Sequence, residues 1–448
     1  MNTLVFPAPE LERLRTTLLS HAPKEAAALV LAGYARGEWG VRLLAHESII
    51  VPVDAYTVQE EYRLQVAPVF LAAVLKKARI GGWAILLVHT HPFADETHFS
   101  WVDDQGEALL VPTLFQRAAD RPHASLVLGP ASFDARTYLS HDSRPSSIDL
   151  LVESGPSVTY ERRITTRIEV GPEADRSVRA FGEKGQIALG LLTIAIVGLG
   201  GMGSIVAEEL AHLRVGRLIL IDDDSLEVTN LNRVVGATLA DVGRPKVDVA
   251  ADYVSRIQSF TRVVAHNGSA LDSSVATSLL SADLIVCCTD THGSRAVLNQ
   301  FAYQYLVPVI DLGVRIDVDR SGMATTTGRV QMLAPGLACL ACHNILDPDQ
   351  VRRDLMTEVA RRQDPYIVGA REPQPAVISL NGTIASQGVT MLLSAAIGFP
   401  SSARHQIYQG ASGTIRAISS QSTPKCVICS SEGVLARGDL WPMPWRRH

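Results

Sequence analysis

Two histidines, a serine and an aspartate fall at spacings that could hold a metal ion in His89-Thr-His91-Pro-Phe-Ala-Asp-Glu-Thr-His-Phe-Ser100-Trp-Val-Asp103. The apolar run WAILLV precedes them. On a strand, side chains alternate between faces, so His89 and His91 share one. The loop beyond leads to a helix for which Ser100 can act as N-cap and whose first turn carries Asp103. Two imidazoles and one carboxylate suit a catalytic zinc, which takes three protein ligands and keeps a fourth position for water. Water bound in such a site ionises near pH 7. A general base is still needed, and Glu25, in Pro23-Lys-Glu25-Ala-Ala-Ala-Leu-Val-Leu-Ala-Gly33, is the candidate. His98 has no place in this pattern and is expected in solvent.

A second group lies in Leu-Thr-Ile-Ala-Ile-Val-Gly198-Leu-Gly200-Gly201-Met-Gly203, a strand entering a glycine turn and then the helix SIVAEELAHL. Glycines let the backbone approach a phosphate, and the helix N-terminus favours its charge. The next strand, RLILIDDD, ends at Asp222, where a ribose-binding acid belongs. A nicotinamide cofactor would be the default ligand of that pattern alone. The continuation through Asp222-Asp-Asp224 to Asn230 and Arg233, then Gly243-Arg-Pro-Lys246, does not fit hydride transfer. Asn230, Arg233 and Lys246 are suited to holding phosphates. Asp290, at the end of the strand ADLIVCCTD, is suited to Mg²⁺. Cations and a metal neutralise a leaving pyrophosphate. Asp223 and Glu227 read as solvated loop charges.

No cysteine precedes Cys287, and four of the six form the pairs Cys339/Cys342 and Cys426/Cys429, more than 80 residues apart. Two Cys-x-x-Cys pairs can close a four-thiolate structural zinc site. Cys287 and Cys288 remain, on the strand before Asp290. Buried thiols of that kind are usually inert.

The His-x-His, Ser-x-x-Asp and upstream Glu pattern resembles the JAB/MPN (JAMM) zinc metallopeptidases. The resemblance implies zinc on His89, His91 and Asp103, proton transfer by Glu25, an oxyanion contact from Ser100, and cleavage after the C-terminal glycine of ubiquitin-like proteins. Residues from about 170 to 432 resemble the ThiF/MoeB/ubiquitin-activating superfamily. That resemblance implies an ATP site from Gly198, Gly200, Gly201, Gly203, Asp222 and Asp224, with Asn230, Arg233 and Lys246 on phosphates and Asp290 on Mg²⁺. It also implies a homodimer, with Arg176 reaching the partner's ATP; Arg179 is its rival, and the spacing to Gly182 favours Arg176. Thr291 stands where that family often has Asn. Members that form a thioester carry a cysteine beyond the zinc ligands, but residues 343–381 contain none. An adenylate made here would therefore pass to a thiol or amine on a partner such as a conjugating enzyme.

These sites require an α/β chain of two domains. Residues 1–155 are expected to form a mixed α/β JAB/MPN-like domain, 156–170 a linker, and 171–448 a doubly wound, Rossmann-like activating domain with a zinc-binding tail. The stretch SHDSRPSSIDLLVESGPSV is the best boundary signal, and a helix is expected over roughly 60–78. With 41 basic and 46 acidic residues the net charge is −5, against a large non-specific nucleic-acid surface. The N-terminus lacks signal-peptide features, and the apolar runs are shorter than the roughly 20 residues that span a bilayer. A cytoplasmic, bifunctional enzyme of a bacterial-type ubiquitin-like system is expected, trimming or deconjugating the same protein that it adenylates. Activation and release of a sulfur carrier in a biosynthetic pathway, or a catalytically silent scaffold for ubiquitin-like proteins, are the alternatives.

Overall fold

The computed structural model describes residues 1–163, 168–258, 260–319, 322–357, 375–419 and 421–446. The chain forms two compact units, the first comprising the N-terminal residues through the strand Val158–Arg162 together with Gln304–Leu306 and Ser431–Pro442. Among the described residues, no helix is long and apolar enough to cross a membrane.

The first unit is built on a nine-stranded mixed sheet. Its strands are β1 (Thr3–Pro7), β2 (Ala27–Gly37), β3 (Gly40–Ile50), β6 (Ala84–Thr90), β7 (His123–Leu128), β8 (Phe133–Tyr138), β9 (Ser146–Ser147), β10 (Leu150–Ser154) and β11 (Val158–Arg162). They lie in the order β11-β10-β1-β3-β2-β6-β7-β8-β9. The hairpin β4 (Tyr56–Gln59) and β5 (Leu64–Val66) stands apart as a two-stranded sheet. Three helices, α1 (Glu10–Leu19), α2 (Pro68–Gly81) and α3 (Trp101–Arg117), complete the unit.

Period-two alternation divides the central strands between two cores. Ala28, Val30, Leu86 and Val88 pack with Leu14 and Leu18 of α1. Leu29, Leu31 and Ile85 face the other way, onto Val74 and Leu75 of α2 and Leu114 of α3. His89 shares parity with Ile85 and Leu87, so β6 delivers it on the α3 side of the sheet.

Three expectations are corrected here. The helix expected from 60 begins at Pro68, whose fixed φ and missing N–H suit a first helical turn. Residues 56–66 alternate as the hairpin instead. The Ser/Pro-rich stretch taken as a boundary contributes β9 and β10, and β10 pairs in parallel with β1 inside the sheet. Of the expected linker, 158–162 forms β11 and 164–167 lies outside the described residues.

The second unit carries β12 (Thr193–Val197), β13 (Arg217–Asp222), β14 (Arg262–Asn267), β15 (Leu284–Cys287), β16 (Val309–Val318), β17 (Ala324–Leu333), β18 (His405–Gln409) and β19 (Thr414–Ala417). Their order is β14-β13-β12-β15-β16-β17-β18-β19. The first five are parallel and the rest antiparallel. Helices α4 (Asp175–Leu191), α5 (Gly201–His212), α6 (Lys246–Ile257), α7 (Ser273–Ala276), α8 (His292–Gln304), α9 (Pro348–Leu355) and α10 (Ile378–Ile397) accompany them. The strand order reverses at β12, which lies between β13 and β15. Ligands of open α/β sheets bind at the carboxyl ends of strands at such a point.

The C-terminal residues, expected to lie wholly in the activating domain, divide: Ser431–Pro442 packs within the first unit. Tyr34 on β2 bridges to Gly438. A Cβ on Gly33 would come 2.1 Å from the Ala436 carbonyl oxygen. That approach explains the glycine. Gly33→Ala is expected to destabilise the first unit by about 1–3 kcal/mol, the range of overpacked cores. An unchanged thermal unfolding midpoint would show that this segment is not packed there.

Candidate functional sites

In the first unit, pairing of β2 with β6 sets Ala27 opposite His89. Glu25, two residues before Ala27, therefore arrives beside the two histidines. The backbone there is held on both sides: Glu25 N donates to Glu60 O at 2.9 Å, and Gln59 Nε2 to Glu25 O at 3.0 Å. His91 lies just past β6, with its N–H on Leu128 O at 3.0 Å.

The three candidate ligands converge. His89 Nε2 is 3.0 Å from Asp103 Oδ1, His91 Nε2 is 3.4 Å from Asp103 Oδ2, and the two Nε2 atoms are 3.3 Å apart. A tetrahedral zinc with ligands at about 2.0–2.1 Å has edges of about 3.3–3.4 Å. The imidazole pair matches such an edge, and Asp103 meets the two rings through different oxygens, Oδ1 at His89 and Oδ2 at His91, so the three residues are gathered at ligand separation. Glu25 Oε1 is 3.7 Å from His91 Nε2, adjacent to this group.

Ser100 caps α3 as expected, its Oγ accepting from Asp103 N at 3.2 Å. It also donates from Oγ to Asp103 Oδ2 at 2.8 Å, and from its own N–H to the same oxygen at 2.6 Å. In this arrangement the hydroxyl proton points at Asp103, so an oxyanion contact requires it to turn. His98 is exposed, as expected. Burial drives the Glu25 carboxyl up to about 7, against the pull of both imidazoles. Burial also opposes ionisation of Asp103, but hydrogen bonds from His89, His91 and the Ser100 N–H hold it well below the usual carboxylate range. A cleft of about 450 Å³ opens over Glu25, His91 and Ser100, with Tyr62, Phe93 and Trp101 among its lining. Tyr62, from the β4–β5 turn, carried no motif and was missed by the sequence.

In the second unit the glycine turn sits at the end of β12. Gly198 has φ +90, and a Cβ on Gly203 would lie 1.8 Å from the Gly198 carbonyl oxygen. Gly200 faces open space, with nothing within 4 Å of a Cβ built there. Gly200 is also the N-cap of α5 and supplies no side-chain cap. The first-turn N–H groups are thus left for an anion.

Asp222 is laced into this turn. Its carboxylate accepts from Leu199 N at 2.6 Å and from Asp224 N at 2.9 Å. Burial raises its pKa, with Lys246 and these N–H groups pulling against it. Lys246 Nζ pairs with Asp224 Oδ2 at 2.6 Å and is 4.0 Å from Asp222 Oδ1. The Arg233 stem lies over Gly201, its Cδ 3.3 Å from the position of a Cβ there. Its guanidinium donates to Thr229 O at 2.7 Å. Asn230 is buried, its Oδ1 accepting from Glu227 N at 3.2 Å, so that acceptor caps a turn.

Asp290 is exposed at the end of β15. Among the described residues, Asp222, Asp223 and Asp224 form a group of three carboxylates close enough to share a cation, and Asp290 is not a member of that group. Arg176 is exposed in the first turn of α4, while Arg179 pairs with Asp175 at 2.9 Å. Sequence reasoning missed Asn381 of α10, whose Nδ2 lies 2.2 Å from a Cβ built on Gly201. It also missed Arg295, which donates to the carbonyls of Thr289 and Leu312 at 3.0 and 3.1 Å.

The four cysteines meet. Sγ separations are 3.7 Å for Cys339–Cys342, 3.7 Å for Cys339–Cys426 and 3.5 Å for Cys342–Cys429. Zinc–thiolate bonds of about 2.3 Å imply edges of about 3.8 Å. Disulfides would be far shorter. The cage fits a zinc ion. Cys287 and Cys288 are buried, and burial pushes the Cys287 thiol up to about 12, so neither offers a thiolate near neutrality. Part of the cysteine-free loop, 358–374, lies outside the described residues.

A glycine turn at the switch point of a doubly wound sheet defines a nucleotide-type α/β domain. Residues 174–428, more than half of the chain, match the ThiF family model, and the chain belongs to the ThiF family. Residues 1–173 lie outside that match. The chain is 28% identical over 252 residues to the molybdopterin-synthase adenylyltransferase of Escherichia coli (strain K12), covering 56% of this chain and 92% of the relative. It is 32% identical over 164 residues to the ubiquitin-like modifier-activating enzyme 5 of Oryza sativa subsp. japonica, covering 34% of this chain and 37% of that one. The crystal structure of E. coli MccB with ATP aligns over 58% of this chain and 75% of the other, at 20% identity and TM-score 0.45.

The raised Glu25 carboxyl has a consequence for metal-free protein. A carboxyl whose folded pKa, about 7, exceeds its ordinary 4.5 binds more protons folded than unfolded. Its contribution to stability is fully present below about pH 4.5 and is lost as pH rises through about 7. With metal chelated, the thermal midpoint of wild type should therefore fall relative to that of Glu25→Gln across this window. Parallel profiles would remove the shift.

Proposed function

We propose that this chain is a two-site enzyme acting on the C-terminus of a ubiquitin-like or sulfur-carrier protein. The activating site joins it to the AMP portion of ATP, releasing pyrophosphate, and a zinc-dependent peptidase site cleaves after the same terminal glycine. Membership of the ThiF family supports the first activity, with the open space above Gly200 and its bare helix N-terminus as the carrying observation. Relatives named molybdopterin-synthase adenylyltransferase and ubiquitin-like modifier-activating enzyme support the substrate class.

In the activating reaction a carboxylate oxygen of the carrier attacks the α-phosphorus of ATP. The bond to the β-phosphate bridging oxygen breaks, and pyrophosphate leaves. Backbone N–H groups of the glycine turn hold phosphate oxygens, and Asp222 and Asp224 border the ribose. Arg233 and Lys246 neutralise charge, Lys246 exchanging Asp224 for phosphate; Asn230 steadies the turn that leads into Arg233. Mg²⁺, if bound, would be held by Asp290 and would offset the charge of the departing pyrophosphate, and Arg176 would complete the site of a homodimer partner. With Cys287 and Cys288 buried, the acyl-adenylate passes to a thiol or amine supplied by another protein, such as a conjugating enzyme.

For the peptidase, the carrying observation is the set of 3.0, 3.3 and 3.4 Å separations among His89, His91 and Asp103. Zinc there supplies a Lewis acid beside which water ionises near neutrality. Glu25 Oε1 accepts the proton of the attacking water and returns it to the leaving amine as the C–N bond breaks. Ser100 turns its hydroxyl toward the carbonyl oxygen that gains charge. Chemically, cleavage of an extended precursor exposes the free carboxylate that adenylation consumes. Cys339, Cys342, Cys426 and Cys429 would hold a structural zinc, which would tie the chain after β19 to the loop after β17.

ATP–pyrophosphate exchange with a carrier ending in glycine tests the activating half. Asp290→Ala should lower exchange by about 100-fold or more, the scale of losing one stabiliser of developing charge. Exchange that is absent in wild type with every such carrier would falsify adenylation. His89→Ala should abolish cleavage of a C-terminally extended precursor and leave exchange intact; retained cleavage contradicts the metal assignment.

A further inference from the structure

Beside the first unit's metal-type site lies a partly buried cluster, with Asp104 at its exposed edge, that the peptidase chemistry does not use. Arg136, on β8, reaches three places at once. Its Nη1 is 2.7 Å from Asp104 Oδ1, in the first turn of α3 beside Asp103. Its Nε and Nη2 both lie 2.8 Å from Glu107 Oε2, one turn further along α3. Its Cζ stands 3.8 Å from the centroid of the Phe99 ring. Phe99 in turn meets His89 edge to face, with ring centroids 6.4 Å apart.

Glu107 is buried, and Tyr138, two residues after Arg136 on the same face of β8, donates its hydroxyl to the same Glu107 oxygen. One guanidinium therefore grips two turns of the helix that carries Asp103 and backs the ring that packs against His89. A buried carboxylate of this kind needs a charged partner, and a planar five-donor fork can serve two carboxylates and a ring face together. Lysine cannot.

Resting on the peptidase reading, we propose that Arg136 is the positioning residue of the His89–His91–Asp103 site, setting how tightly that site holds zinc. It touches no ligand atom. Its action runs through the α3 first turn to Asp103 and through Phe99 to His89. Groups that orient metal ligands from outside typically change metal affinity by about 10–100-fold when removed.

The test is zinc release from the full-length chain to a chromophoric chelator. Wild type should show two phases, a labile one from the His/Asp site and a slow one from the four-thiolate cage. Arg136→Ala should speed the labile phase by about 10–100-fold and leave the slow phase unchanged. Arg136→Lys should restore only part of the difference, since it loses the fork and the ring contact. Phe99→Ala provides a second variant that spares the buried ion pairs, in case Arg136→Ala does not fold, and should also speed the labile phase. Two phases in wild type with the labile one unmoved in both alanine variants would overturn the positioning role alone. A wild-type protein that releases only the cysteine-bound zinc would overturn the peptidase reading and this role with it.

Discussion

A carboxylate taken out of water has to be given its hydrogen bonds back, and that constraint shapes the candidate sites in both units. Asp103 is satisfied by Ser100 and by two imidazoles, and doing so brings the imidazoles to metal-binding separation. Asp222 is satisfied by Leu199 N and Asp224 N, and doing so fixes the glycine turn against the loop after β13. Glu107, gripped by Arg136 and Tyr138, repeats the pattern one layer further from the chemistry. In the second unit, fully buried Asp311 takes a hydrogen bond from Arg329 on Oδ2 and pairs only by charge with Arg295, 3.5 Å from Oδ1, while Arg295 holds the carbonyl just before Asp290. In each case a costly group is paired, and the pairing orients a neighbour.

The glycines act through the complementary constraint, absence of volume. Gly203 admits the Gly198 carbonyl, and Gly33 admits the segment Ser431–Pro442. Gly200, by contrast, is crowded by nothing, and the vacancy lies where a phosphate would meet the start of α5. Gly106 and Gly243 are as open, so it is the place of Gly200 at the uncapped start of α5, and not the space alone, that suits an approaching phosphate.

Local pattern explains what was legible in the sequence. The strand before Gly198, the turn, α5 and the acid ending β13 are consecutive, so each predicted the next. The Ser100 cap was readable because it depends on residues three apart. The pair of Cys-x-x-Cys motifs carried its own chemistry across a long gap. What could not be read depends on pairing between distant segments. Residues 140–158 read as a domain boundary, yet β10 lies beside β1 with Leu150, Leu151 and Val152 all buried, Leu151 in the core that α1 covers. Residues 60–66, which include β5 of the hairpin, read as helix because their apolar spacing runs on into α2. Arg136, Arg295 and Asn381 sit in no motif, and only the folded sheet brings them to their sites.

The central claim is that one chain carries two metal sites of different chemistry, one beside a peptide-cleaving base and one that only holds the fold. X-ray absorption at the zinc edge, with metal content measured on the same sample, tests it most directly. The account predicts two zinc ions per chain, one in a four-sulfur shell and one in a nitrogen/oxygen shell that is lost in His91→Ala. A single zinc with sulfur ligands alone would contradict it.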